Sequence, residues 1–191
     1  MLITAYSKGY FPMSDGRDSP EIRWYYPEAR GVIPLHDFHV PGSLKKFLKK
    51  SPFTFTTDKV FREVIEACAM RGDGTWINDT IIDVYCQLHD MGFAHSVECW
   101  QEDSLVGGLY GVALGGAFFG ESMFSRTSNS SKAALVHLVQ LLRGAGYTLL
   151  DTQYVNDHLQ QFGVTEIPRK EYLEQLEKAL HTNPKKAFTS D

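Results

Sequence analysis

The chain has 191 residues, of which 43% are hydrophobic and 13% aromatic, so it can bury a core without a disulfide or metal and is unlike a disordered or fibrous protein. Its 19 Lys and Arg against 23 Asp and Glu give a net charge of −4, which excludes a polycation that binds nucleic acid by bulk charge but allows a local basic face. No apolar run reaches the roughly 20 residues that cross a bilayer, and the start is unlike a signal peptide, so we expect a soluble cytoplasmic protein without a membrane partner.

The first 55 residues are rich in proline, glycine and aromatic side chains. This composition predicts irregular structure, short strands and one basic helix. We interpret residues 1–55 as a small N-terminal domain. Its Trp and Tyr side chains either pack this domain or form a surface on which nucleic-acid bases stack.

Two helices follow. Apolar residues recur at helical spacing between Asp58 and Arg71, and Gly72 and Gly74 come directly after them. A second helix is predicted to begin near Asp79, a suitable N-cap residue, and to end at Gly92.

The pattern then changes to alternation. HSVECWQ, SLVGGLYGVAL and AFFGESMF predict three antiparallel strands, followed by a long helix over Ser130–Arg143, a central strand in YTLLDTQ, a short helix in NDHLQQFG and a last helix over Arg169–Leu180. This order predicts a mixed α/β (α+β) fold that resembles the acetyltransferase (GNAT) superfamily, with a catalytic domain over residues 56–191. The strand-to-helix junction SRTSNSSKAAL contains no glycine, so the loop that holds a coenzyme pyrophosphate is missing.

Common catalytic motifs are absent from the sequence. The cysteines Cys68, Cys86 and Cys99 lack CxxC spacing, which predicts packing roles in a reducing compartment. His36 and His39 are close together but belong to no HExxH motif, and no GxSxG elbow is present. We therefore expect neither a metal site nor a serine nucleophile.

Asp151 ends an otherwise apolar strand, where an acidic side chain is unfavourable unless it is paired or functional. Gln153 lies two residues on and would point to the same face, and Asn156 opens the next turn. A carboxylate beside a carboxamide can orient an amine. Alternatively, Asp151 only caps the turn that follows.

Glu121 lies inside the third predicted strand. Strand alternation places Glu121 and Met123 on one face and Ser122 and Phe124 on the other. This pattern predicts a cavity with one polar group, and the alternative is an exposed glutamate on an edge strand.

Several segments carry a resemblance in order along the chain, from Tyr6 to Leu180: KGYFPM, RWYYPEARGVIP, GTWIND, MGFAHSVECW, LVGGLYGVALGGAFFGESMFSR, SSKAAL, LLDTQ and GVTEIPRKEYL. Together they resemble the bacterial leucyl/phenylalanyl-tRNA–protein transferases. The sequence departs from many members of that family in having FPM in place of FPW. The competing interpretations are a small-molecule N-acetyltransferase, suggested by the fold order, and a non-catalytic RNA-binding module.

The resemblance implies an enzyme that moves Leu or Phe from aminoacyl-tRNA to proteins with N-terminal Arg or Lys, marking them for N-end-rule degradation. No cofactor is implied, because the tRNA ester is already activated, and we expect a monomer. Asp151 and Gln153 would be the catalytic pair, with Gln153 contacting the attacking amine and Asp151 holding or polarising Gln153. Glu121 would receive the basic first residue of the acceptor.

The resemblance also implies a donor pocket and a tRNA surface. The residues at the pocket positions are Leu109, Phe118, Met123, Leu138 and Leu150. Ser125 and Asn156 would also bind substrate. The alternative for each apolar pocket residue is an ordinary place in the hydrophobic core. Trp24 and Trp76 would meet the terminal adenosine by stacking. One predicted helix face carries four lysines, here called the lysine cluster: Lys45, Lys46, Lys49 and Lys50. Together with Arg126 they would contact tRNA phosphates. The alternative is that the lysine cluster is only a solvated surface.

Overall fold

Strands and helices are mixed along the described part of the chain, residues 1–70 and 74–188 of this computed structural model. The strands are β1 (Phe11–Ser14), β2 (Ile22–Tyr25), β3 (Ala29–Ile33), β4 (Phe53–Thr57), β5 (Ala94–Gln101), β6 (Ser104–Leu114), β7 (Ala117–Ser125), β8 (Leu149–Gln153) and β9 (Thr165–Pro168). The helices are α1 (Leu2–Tyr6), α2 (Gly42–Leu48), α3 (Phe61–Ala69), α4 (Asp79–Asp90), α5 (Ser130–Ala145), α6 (Asp157–Gln160) and α7 (Arg169–Leu180). None of the helices within these ranges is long and apolar enough to cross a membrane.

A seven-stranded sheet in the order β4-β5-β6-β7-β8-β3-β9 carries the fold, and β1 and β2 form a separate two-stranded sheet. Neighbouring strands are antiparallel except β7 and β8, which are parallel. The β7–β8 pairing covers Ala117–Phe119 against Leu149–Asp151 and ends there. The residues that follow on the two strands are therefore available to line an opening in the sheet.

Two hydrophobic cores cover the two faces of this sheet. Residues of α1, α3, α4 and α7 pack in one core, which we call the α3/α4 side. Residues of α5 pack in the other with Leu44 of α2 and Leu159 of α6, which we call the α5 side. Phe118 belongs to the α5 side and Phe119 to the α3/α4 side, as alternation along a strand that is buried on both faces requires.

Most of the predicted elements are present. The mixed α/β fold, the three antiparallel strands β5 to β7, the long helix α5, strand β8 and helix α7 are confirmed. Cys68 and Cys99 are buried in the two cores, which agrees with packing roles.

The helix predicted from Asp58 begins instead at Phe61. Asp58 takes a left-handed φ of +59°, and its carboxylate accepts from the backbone N–H of Ser96 at 2.9 Å and lies 2.8 Å from Nδ1 of His95. These contacts tie the segment to β5 and delay the helix. The predicted end at Arg71 lies outside the described residues. The N-cap of α4 is Asn78 rather than Asp79, because its side chain accepts from the Ile81 N–H at 2.8 Å.

The seven-stranded sheet draws strands from both sides of residue 55, since β3 lies between β8 and β9 and β4 forms one edge. The division into domains of residues 1–55 and 56–191 stays a prediction.

Candidate active site

A cleft of about 700 Å³ opens where β7 and β8 are no longer paired. Its walls come from both hydrophobic cores and from the loops that follow the two strands. The residues that line it are Met13, Ala67, Met70, Trp76, Leu109, Tyr110, Gly120, Glu121, Ser122, Met123, Phe124, Ser125, Arg126, Ser131, Leu135, Leu138, Leu150, Thr152, Gln153, Tyr154, Asn156, His158 and Leu159.

A β-bulge shapes the centre of the cleft. Gly111 of β6 pairs with Gly120, but the next pair is Tyr110 with Ser122, so Glu121 is an extra residue on β7. A Cβ on Gly111 would lie 2.2 Å from the carbonyl oxygen of Phe119, which explains why glycine occupies this position.

The bulge reverses the alternation along β7. Glu121 contacts Tyr6 and Tyr85 on the α3/α4 side, whereas Met123 packs on the α5 side. The predicted placement of Glu121 and Met123 on one face is therefore wrong, because an inserted residue changes the side-chain direction of everything after it. The two residues face opposite ends of the cleft.

Glu121 is the buried acid of the cleft, with 8% of its surface exposed, which rules out an exposed edge-strand glutamate. Its Oε1 accepts from the Tyr6 hydroxyl at 2.6 Å and from Nε2 of Gln153 at 3.1 Å, and its Oε2 accepts from the Tyr85 hydroxyl at 3.2 Å. The two tyrosine hydroxyl oxygens also lie within hydrogen-bonding distance of each other. Burial raises the pKa of Glu121 to about 7, although these hydrogen bonds oppose the rise.

Asp151 is fully buried behind the cleft and is not among the lining residues. Nε of Arg30 donates to its Oδ1 at 2.9 Å and Nη2 donates to its Oδ2 at 2.8 Å. The Tyr172 hydroxyl donates to Oδ2 at 2.7 Å. Asp151 is therefore a paired carboxylate, which satisfies the condition for burying a charge at this point.

Gln153 connects this ion pair to the cleft. Its backbone N–H donates to Oδ1 of Asp151 at 2.8 Å, and its φ of +65° is left-handed. Asp151 thus contacts Gln153 through the backbone and caps the turn, while the Gln153 side chain reaches Glu121. On the paired strand, a Cβ on Gly31 would lie 2.7 Å from the carbonyl carbon of Tyr154, so glycine is required opposite this turn.

The structure brings most of the other predicted residues together. Leu109, Met123, Ser125, Arg126, Leu138, Leu150, Asn156 and Trp76 all line the cleft. Asn156 also caps α6 by accepting from the Leu159 N–H at 2.9 Å.

Two of the predicted substrate-binding residues lie away from the cleft lining. Phe118 is fully buried in the core of the α5 side and stacks on Phe188 at 5.6 Å between ring centroids, so its side chain is covered within that core. Trp24 is 41% exposed on β2 and does not line the cleft; Met13, on the paired strand β1, lines it instead.

The lysine cluster is exposed throughout. Lys45 and Lys46 lie on α2, but this helix ends at Leu48, so Lys49 and Lys50 follow it in a turn. The helix is therefore shorter than predicted, but Lys49 is its C-cap with helical dihedral angles, and the Lys49 N–H donates to the carbonyl oxygen of Lys45 at 3.3 Å.

Sequence reasoning missed four residues of the site: Tyr6, Arg30, Tyr85 and Tyr172. Each comes from a different element and meets its partner only in the folded chain. Arg30 alone left a local signal, as a cation within the apolar strand ARGVI. Across residues 1–70 and 74–188, no group of three or more His, Cys, Asp or Glu side chains is placed to hold a metal ion.

Comparison with known families decides where the chain belongs. The family model described as leucyl/phenylalanyl-tRNA protein transferase matches residues 32–177, and the model of its N-terminal domain matches residues 1–28. The chain belongs to the leucyl/phenylalanyl-tRNA protein transferase family.

Curated members of the leucyl/phenylalanyl-tRNA protein transferase family align over nearly the whole chain. The leucyl/phenylalanyl-tRNA–protein transferase of Salinibacter ruber is 54% identical over 184 residues, which is 96% of this chain and 80% of the relative. That of Phenylobacterium zucineum is 54% identical over 182 residues, 94% of this chain and 82% of the relative. The resemblance is confirmed, and with it the expected transferase activity.

A solved structure shares the fold. The crystal structure of FemX superimposes with a TM-score of 0.56 at 12% identity, covering 87% of this chain and 66% of that chain. At this identity the likeness concerns the fold alone.

Proposed function

We propose that the cleft transfers leucine or phenylalanine from aminoacyl-tRNA to the α-amine of a protein that begins with arginine or lysine, marking that protein for N-end-rule degradation. The observation that carries this proposal is the bulge at Glu121, which directs a buried carboxylate and an apolar pocket to opposite ends of one cleft. Gln153 lies beside the carboxylate, where the two substrates would meet.

The acceptor end is built around Glu121. Its three donors, Tyr6, Tyr85 and Gln153, are neutral, and the nearby Arg30 has its hydrogen bonds committed to Asp151 and Gly9. A carboxylate buried in this way is stabilised by a cation that enters with the ligand. The guanidinium of arginine or the ammonium of lysine at the first position of the acceptor supplies that charge.

The donor end is apolar. Leu109, Met123, Leu138 and Leu150 line it, joined by Leu135 of α5. An apolar pocket accepts leucine or phenylalanine and disfavours polar side chains. Methionine adapts to a branched or a flat side chain because its thioether is flexible. Phe118 supports this pocket from the core rather than lining it.

The reaction is aminolysis of an ester. The α-amine nitrogen of the acceptor attacks the ester carbonyl carbon, the C–O bond to the terminal ribose breaks, and the ribose oxygen gains the proton that the amine loses. Because Nε2 of Gln153 donates to Glu121, its carbonyl oxygen remains to accept from the attacking amine. An α-amine with a pKa of about 8 is partly neutral near pH 7, so positioning supplies most of the acceleration.

The tRNA would lie across the mouth of the cleft. Trp76 and Arg126 line the cleft, and the lysine cluster and Trp24 are exposed on the surface. Stacking on the terminal adenosine and pairing with phosphates are the contacts that these side chains offer. The acetyltransferase-like fold, the separate N-terminal domain, the monomeric state and the cytoplasmic location belong to this proposal.

The test supplies labelled Phe-tRNA or Leu-tRNA with peptides that differ only in their first residue. We expect label on peptides that begin with Arg or Lys and none on a matched peptide that begins with Glu. Equal labelling of the Glu peptide would contradict the role of Glu121, and no labelling at all would contradict the transferase assignment. Calorimetric binding of acetyl-coenzyme A would favour the small-molecule acetyltransferase instead.

A further inference from the structure

Arg30 is a buried cation to which the reaction above assigns no role. It lies on β3 with 2% of its side chain exposed. Its guanidinium lies between the rings of Phe11 and Tyr172, 4.5 and 4.6 Å from their centroids, and its Nη1 donates to the carbonyl oxygen of Gly9 at 2.9 Å. Arg30 therefore ties the N-terminal segment and α7 to the sheet.

The remaining donors of Arg30 hold Asp151 in one orientation. Nη2 donates to Oδ2, and Nε donates to Oδ1 at 2.9 Å with a longer contact to Oδ2 at 3.1 Å. A planar guanidinium makes such a two-point contact and an ammonium does not. The oxygen held by Nε, Oδ1, is the one that accepts from the Gln153 N–H. A rotation of the Asp151 carboxylate would therefore break the contact that holds Gln153.

The turn at Gln153 needs such support. Its φ of +65° is uncommon for a residue with a side chain, and this conformation sets the direction in which the Gln153 side chain leaves the backbone. We propose that Arg30 is a positioning residue for aminoacyl transfer: by fixing Asp151 it fixes the turn at Gln153, and so aims the Gln153 amide at the attacking amine. The inference rests on the proposed function of Gln153.

The test is the substitution Arg30→Lys, which keeps the buried positive charge and removes the two-point contact. We expect kcat for transfer to fall by about 10- to 100-fold, because a small misplacement of a reacting group has an effect of this size. KM for Phe-tRNA and for the acceptor peptide should stay unchanged, and thermal unfolding should stay cooperative.

Arg169→Lys is the matched control. Arg169 also forms an arginine–carboxylate pair, with Glu28 at 2.8 Å, and also lies over an aromatic ring, that of Tyr26 at 4.4 Å, but it is not among the residues that line the cleft. Its kcat should equal that of the wild type. A wild-type kcat in Arg30→Lys, or a matching loss in both variants, would overturn the proposal, as would a rise in KM that parallels the loss of kcat.

If Arg30→Lys does not unfold cooperatively, the double variant Arg30→Gln with Asp151→Asn decides, because it buries no unpaired charge. A folded double variant with low kcat and unchanged KM supports a positioning role of the Arg30–Asp151 pair. Wild-type kcat, or a double variant that also fails to fold, overturns it. If the wild-type enzyme itself transfers nothing, the proposed function fails, which is a result distinct from an unaffected Arg30 variant.

Discussion

The substitution Glu121→Gln removes the buried ionisable group at the acceptor end of the cleft and nearly preserves its shape. Burial raises the pKa of Glu121 from 4.5 to about 7, so the folded protein favours the protonated carboxyl more strongly than the unfolded chain does. The stability that this group contributes is therefore fully present below about pH 4.5 and is lost as the pH rises through about 7.

The size of this loss follows from the two pKa values. A difference of one pH unit corresponds to about 1.4 kcal/mol. The free energy of unfolding therefore falls by about 3 kcal/mol between pH 4.5 and 7, because the carboxyl is ionised in the unfolded chain but still largely protonated in the folded protein. Glutamine does not ionise, so the variant does not lose this part of the free energy of unfolding. The free energy of unfolding of Glu121→Gln should therefore rise relative to the wild type by about 3 kcal/mol over this interval.

The assay is denaturant unfolding of the wild type and Glu121→Gln at several pH values from 4.5 to 8. The difference between the two proteins is the quantity of interest, because contributions from other titrating groups cancel in it. Glu63→Gln, an exposed position on α3, serves as the control and should show no such trend. A difference that stays constant with pH would refute the assignment of a raised pKa to Glu121.

The same ionisation should govern acceptor binding. A cationic first residue binds the ionised form of Glu121, so the affinity of the wild type for an Arg-starting peptide should increase as the pH rises to about 7 and then level off. Calorimetry without tRNA measures this affinity directly. Glu121→Gln should bind the peptide weakly at every pH, and a pH-dependent rise that persists in this variant would place the responsible group elsewhere.

The other predictions concern the supports of the cleft and its tRNA surface. Asp151→Ala leaves Arg30 buried without its carboxylate and should lose about 3–5 kcal/mol of stability in denaturant unfolding as well as activity; a fully stable variant would contradict the pairing. Gly31→Ala places a Cβ against the backbone of Tyr154, directly after β8, and should lose about 1–3 kcal/mol of stability. In the control Gly144→Ala on α5, the Cβ meets open space, and the variant should be neutral or more stable by up to about 1 kcal/mol. Replacing the lysine cluster by alanine should reduce the slope of log Kd against log salt for tRNA by up to about 3. An unchanged slope would indicate that the lysine cluster is a solvated surface that does not contact tRNA.

Local patterns were sufficient for most of the secondary structure. The alternation in β5 to β7, the helical spacing in α5 and the proline before Arg169 depend only on neighbouring residues, and these elements formed as predicted. The order of motifs from Tyr6 to Leu180 also identified the family, which the match over residues 32–177 confirmed. Asp151, Gln153 and Glu121 stood out because polar residues within apolar strands are unfavourable without a partner.

The partners themselves were decided only by the tertiary structure. Arg30 is 121 positions from Asp151, and Tyr6 is 115 positions from Glu121, so no local spacing relates them. The bulge at Glu121 depends on how β7 pairs with β6. Because of this bulge, the Met123 side chain points to the sheet face opposite to the one that simple strand alternation predicts. The sequence by itself determined which side chains carry the chemistry, whereas strand pairing and the packing of distant elements determined which way they point, because side-chain direction follows from backbone register rather than from residue identity.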